Sequence, residues 1–136
     1  MSGIPDEARE ILERFTRIAV VGISAKPERP SHGVASYLKR AGFVILPVNP
    51  GLESVLGERC WPSLSAAPKP IEVVDVFRRS SEVAPVVDEA IAAGAKAIWM
   101  QDGVIDEAAA AKARAAGLLV VMDRCILRDH AALARR

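Results

Sequence analysis

Five short stretches of the chain, 18–23, 43–48, 71–77, 97–101 and 118–122, are apolar at nearly every position rather than at alternate ones. A strand with one wet face would alternate, so unbroken apolarity places both faces under cover, as in a parallel sheet enclosed by helices. Most of the intervening segments repeat their apolar positions at helical spacing, and strand alternating with helix is the pattern of βαβ units. The expectation is an α/β protein: a Rossmann-like, doubly wound, five-stranded parallel sheet in three layers.

The helices carry their own punctuation. Ser31 is placed to cap a helix running to Arg40 and closed by Gly42, Ser81 one over 82–93 closed by Gly94, and Asp106 one reaching Ala116 and closed by Gly117. Pro85 falls in a first turn, where its missing N–H removes no intrahelical bond. An opening helix over 5–15 and a closing one from Asp129 onward complete the layers. Between the second and third strands, 49–70 holds Pro50, Gly51, Gly57, Pro62, Pro68 and Pro70 with little periodicity, which reads as an irregular crossover with at most a short helix. Without a repeat, a low-complexity tract or a linker, residues 1–136 are expected to form one domain.

Composition sharpens this picture. Of 136 residues 51% are hydrophobic but only 4% aromatic, which suits helices packed closely on a Val/Ile-rich sheet better than an aromatic-cored sandwich. Eighteen Lys and Arg against seventeen Asp and Glu leave a net charge of +1, so nothing in the overall field points to nucleic acid or a membrane surface, and any anion site must be local. Two cysteines, Cys60 and Cys125, form neither a disulfide framework nor a metal-spaced pair. With no basic, apolar leader at the start and no apolar run of membrane-spanning length, a cytoplasmic protein is expected.

In doubly wound sheets, ligands bind beyond the carboxyl ends of the strands. After the first strand come Gly22, Ile23, Ser24, Ala25, Lys26, Pro27, Glu28, Arg29, Pro30, Ser31, His32 and Gly33, then a helix. Gly22 permits a sharp exit, Ser24 and Ser31 offer hydroxyls, Lys26 and Arg29 bring charge, and the helix start adds free N–H groups and the positive end of its dipole. Gly22 and Gly33 also suit turn geometry and close packing of helix on sheet. A dinucleotide fingerprint is missing: Ser24 and Pro27 stand where its second and third glycines belong, and no carboxylate ends the second strand. Two side-chain cations and a helix terminus exceed what one pyrophosphate requires. They suit a ligand phosphorylated at two places, and coenzyme A, with its pyrophosphate and separate ribose 3′-phosphate, is such a molecule.

The run from Ala19 to Val34, the turn Pro47 to Pro50, Cys60 to Leu64, Asp75 to Ser80, Ala97 to Gly103, and Asp123 to Cys125 with Asp129 and His130 together resemble the small stand-alone bacterial and archaeal CoA-binding proteins. Those are similar in fold to the CoA-binding domain of the succinyl-CoA synthetase alpha subunit. The resemblance implies that Gly22 to Ala25 wraps the CoA phosphates, that Val48, Asn49 and Pro50 border the adenosine, and that Met100, Gln101, Asp102 and Gly103 line the pantetheine. Where the synthetase has a lysine after the second-strand turn this chain has Leu52, which moves the expected phosphate charge to Lys26 and Arg29. The synthetase's phosphorylated histidine belongs to a further domain outside this sequence, so ligase activity is not expected.

Around this site, Phe77, Arg78 and Arg79 stand where a strand runs into a helix start, a place that disfavours cations unless an anion is bound. Trp61 and Trp99 read as packing residues, His130 as a surface residue of the last helix, and Cys125 as structural. Neither a nucleophile–base arrangement nor a metal-ligand spacing is visible. Non-catalytic binding of CoA or acyl-CoA is the leading reading. Its alternatives are a small acyl-CoA-processing enzyme using Asp102 or His32 as acid or base, and a redox protein in which Cys60 or Cys125 joins CoA in a mixed disulfide.

Overall fold

The computed structural model describes residues 3–135. Along the chain run α1 (Asp6–Arg14), β1 (Arg17–Val21), α2 (Pro30–Arg40), β2 (Val44–Val48), β3 (Ser54–Val55), β4 (Glu58–Arg59), β5 (Val73–Val76), a 3-10 turn (Ser80–Glu82), α3 (Val83–Ala92), β6 (Ala97–Met100), α4 (Glu107–Ala115), β7 (Leu119–Val121) and α5 (Ile126–Ala134). The main sheet is parallel with order β2-β1-β5-β6-β7. Chain order therefore reverses between β1 and β5, the switch point at which such sheets open a crevice.

Successive strand residues feed opposite cores, which is why the strand stretches are apolar throughout. Ala19, Val21, Val74, Val76, Ile98 and Met100 pack under α3 and α4. Ile18, Val20, Val73, Ala97 and Trp99 pack under α1, α2 and α5. This is the three-layer α/β sandwich expected from the sequence. Among the described residues no helix is long and apolar enough to cross a membrane.

One position breaks the apolar rule. Asp75 lies in the central strand, in register with Val20 and Trp99 and on the same side as Val73. It is fully buried, neither carboxylate oxygen has a hydrogen-bond partner, and burial pushes its pKa well above the usual carboxylate range. Beside it Trp99 satisfies its own polar atom, Nε1 donating to the Arg124 carbonyl at 2.9 Å.

The helix boundaries correct several expectations. Asp106 does cap α4, its carboxylate accepting from Ala109 N–H at 2.9 Å. Ser31 does not cap α2: the helix begins at Pro30 with Arg29 at the cap position and no side-chain cap. Ser81 sits within the 3-10 turn that leads into α3, which likewise lacks a side-chain cap. The last helix starts at Ile126, three residues before Asp129, because Gln101 Oε1 accepts the Ile126 N–H (3.2 Å) and fixes the helix start against β6. Asp129 is instead buried in the first turn, bridged by Arg124 at 2.7 and 2.9 Å. His130 is not a plain surface residue, since its ring sits edge-on to Tyr37 and Phe43 and its Nδ1 lies 2.8 Å from the Tyr37 hydroxyl.

The crossover over 49–70 holds an antiparallel hairpin, β3 with β4, rather than a helix. Its two loop residues, Leu56 and Gly57, both have positive φ (55° and 75°), as tight hairpin turns require. Lys39 fastens the hairpin to the end of α2, donating to the Leu56 carbonyl at 2.6 Å and pairing with Glu58 at 3.0 Å.

Candidate functional site

A cleft of about 1050 Å³ opens at the carboxyl edge of the sheet, across the switch point. Its floor is set by Gly22. With φ +89° this residue turns the chain out of β1, and a Cβ added to it would lie 2.2 Å from the Phe77 carbonyl oxygen. The exits of β1 and β5 are thus in backbone contact, and Gly22 N–H is held by the Val48 carbonyl at 3.0 Å. Only a residue without a side chain permits that approach.

The following loop is pinned by its own serines. Ser31 Oγ accepts from Ser24 N–H, and Ser24 Oγ accepts from Lys26 N–H, each at 3.0 Å. Ile23, Ser24, Ala25, Lys26, Arg29 and Ser31 all line the cleft. α2 has no side-chain cap and begins on a proline, and the His32 and Gly33 N–H groups already donate to the Arg29 carbonyl (3.1 and 3.3 Å), so the Ser31 N–H is the first-turn donor left for a ligand. Gly33 has open space around its Cβ position, so close packing does not explain it. His32 is half-buried on α2 and does not face the cleft.

From β2, Asn49 reaches the cleft while Val48 and Pro50 do not. Val48 is buried in the core under α3 and α4, and Pro50 is exposed. Asn49 donates through Nδ2 to the Ile23 carbonyl (2.7 Å) and accepts through Oδ1 from Gly51 N–H (2.8 Å), so it ties the two loops together. Leu52 places an apolar side chain in the wall beside it. Cys60 lies behind this wall, its thiol directed at the Asn49 carbonyl (3.6 Å), and burial pushes its pKa up.

The opposite wall rises from β5 and β6. Phe77, Arg78 and Arg79 line it, with Glu82 beyond them. Ser80 joins the two exits, its hydroxyl donating to the Gly103 carbonyl (3.2 Å) and accepting from Ile105 N–H (2.9 Å). Met100 is fully buried in the core, whereas Gln101, Asp102 and Gly103 line the cleft. Gln101 is only 5% exposed; its oxygen is occupied by Ile126, and its amide nitrogen makes no hydrogen bond among the described residues. Asp102 is held by both terminal guanidinium nitrogens of Arg128 (2.6 and 2.8 Å), which keeps its carboxyl below the usual range.

Lys26, Arg29, Arg78 and Arg79 therefore face one cleft, and none of them forms an ion pair among the described residues. Sequence reasoning did not place Pro30, Val34, Glu82 or Val104 there, and it brought Cys125 to CoA only in the mixed-disulfide alternative. For Cys125 the signal existed: it follows the last strand, so the carboxyl-edge rule that selected the other loops applied to it as well.

Fold and cleft together define a doubly wound, Rossmann-like α/β protein with a cationic crevice at its switch point. Residues 16–131 match the family model described as CoA binding domain, and the chain belongs to that family. It is 42% identical over 125 residues to the uncharacterized protein YneT of Bacillus subtilis, covering 92% of this chain and 93% of that one. A hypothetical protein from Pyrococcus horikoshii is 44% identical and superposes with a TM-score of 0.92 over 98% of this chain and 95% of its own. An ADP-forming acetate–CoA ligase of Archaeoglobus fulgidus is 29% identical over 93 residues, 66% of this chain but 14% of the ligase.

Proposed function

We propose that the protein, acting as one unit in the cytoplasm, binds coenzyme A or an acyl-CoA in the switch-point cleft and holds it without turning it over. The observation that carries this reading is the gathering of four unpaired cations around one cleft in a chain of the CoA binding domain family. The volume suits a ligand larger than a mononucleotide, being just above the usual range for ligand pockets, roughly 300–1,000 Å³. In this reading the α2 N-terminus, Ser24 and Lys26 meet the pyrophosphate, and Arg29 meets the 3′-phosphate. Asn49 and Leu52 border the adenosine, and the free amide nitrogen of Gln101 donates to a pantetheine carbonyl.

Holding rather than turnover is supported by the two residues an acyl-processing enzyme would use. Asp102 is committed to Arg128 as a carboxylate, and His32 lies off the cleft. Calorimetric titration tests the assignment. CoA is expected to bind more tightly than NAD, and Arg29→Ala to weaken CoA more than dephospho-CoA. A charge-assisted hydrogen bond contributes roughly 1.5–3 kcal/mol, or about one to two decades in affinity. Equal affinities for CoA and NAD would refute the reading, and equal losses for CoA and dephospho-CoA would refute the role of Arg29.

A further inference from the structure

The pantetheine end of the cleft contains a thiol. Cys125 is the residue immediately before α5, 9% exposed, and it lines the same cleft as Gln101. Two features set it apart from an ordinary buried cysteine. Gln101, 95% buried, offers an unpaired amide nitrogen beside it while its oxygen holds the N–H of the very next residue, Ile126. The α5 start adds the positive end of a helix dipole. A polar, amide-binding subsite, a thiol and the positive end of a helix thus meet where the resemblance puts the thiol-bearing arm of the ligand.

The geometry points to Cys125 as the acceptor of CoA from a disulfide of CoA, so that the cleft distinguishes the reduced from the oxidised ligand. This rests on the CoA reading above. The Cys125 sulfur, as thiolate, attacks one sulfur of the CoA disulfide; a Cys125–CoA bond forms and the original S–S bond breaks. The second CoA leaves as a thiolate and takes up the proton that Cys125 released. Cys125 is oxidised and one CoA is reduced, with no other oxidant involved. Gln101 orients the pantetheine amide so that the attacked sulfur is presented to Cys125. Cys60 is the internal control, because its thiol faces the Asn49 carbonyl behind the wall and outside the cleft.

The test uses the whole reduced protein with CoA disulfide or oxidised glutathione at equal concentration, read by intact mass and peptide mapping. One CoA is expected on Cys125, forming at least tenfold faster than the glutathione adduct and reversed by dithiothreitol, with Cys60 unmodified. Cys60→Ser is expected to form the same adduct at the same rate. No adduct, an adduct on Cys60, or equal rates with both disulfides would overturn the inference. A parallel titration with reduced CoA separates the two proposals: tight binding without an adduct refutes the role of Cys125 alone, whereas absence of binding refutes the CoA reading and this inference with it.

Discussion

At the scale of single residues, two glycines that look equivalent in the sequence have opposite roles. Gly22 combines positive φ with a carbonyl 2.2 Å from where a Cβ would sit, while Gly33 lies in α2 with nothing near. Gly22→Ala should cost about 1–3 kcal/mol from backbone strain before any clash is counted. Gly33→Ala should instead stabilise by roughly 0.4–1 kcal/mol, by restricting the unfolded chain. Urea denaturation measures both, and opposite signs are expected. Asp75 gives a prediction with a pH sign. Its pKa is raised in the folded state, so the folded chain holds a proton that the unfolded chain has lost above about pH 3.9. Stability contributed at this site is greatest at low pH and declines as pH rises towards the folded pKa. Asp75→Asn does not titrate, so its stability relative to wild type should improve by up to about 1.4 kcal/mol per pH unit in that window. Parallel stability profiles for the two proteins between pH 5 and 8 would contradict an unpartnered buried carboxyl.

At the scale of elements, α4 is the helix with a side-chain cap confirmed from sequence, and Asp106→Ala should cost about 1 kcal/mol in thermal or chemical unfolding. The strands were legible because burial on both faces leaves an unbroken apolar signal that a single-sided strand lacks. Helix starts were less legible: a serine near a helix start reads as a cap, yet Ser31 spends its oxygen on Ser24 and leaves α2 open. The β3–β4 hairpin was hidden for a similar reason. Its turn places Leu56 at positive φ where Asn, Asp or Gly would advertise it, and the Lys39 contacts that hold it come from another element. Among the candidate site residues, those on loops at the carboxyl edge reached the cleft, with the exception of Pro50, which is exposed outside it. Val48 and Met100, the last residues of their strands, instead point into the core, an orientation set by strand register rather than by residue type.

At the scale of the whole molecule, the cleft draws its walls from distant parts of the chain. Gly22 to Ser31 follow the first strand, Gln101 to Val104 follow the fourth of the main sheet, and Cys125 opens the last helix. A molecule touching all three would act as a reversible clasp between the two ends of the sequence, doing without a covalent link what a long-range crosslink does. Hydrogen exchange should then slow on CoA addition in the first turns of α2 and α5 together; protection confined to the β1 loop would show that the clasp does not close. A ligand bound only by the folded chain at a hundred times its Kd adds about 2.7 kcal/mol to stability. Supply of the ligand would thereby set how long the chain resists unfolding and proteolysis, making its own persistence a readout of what the cleft holds.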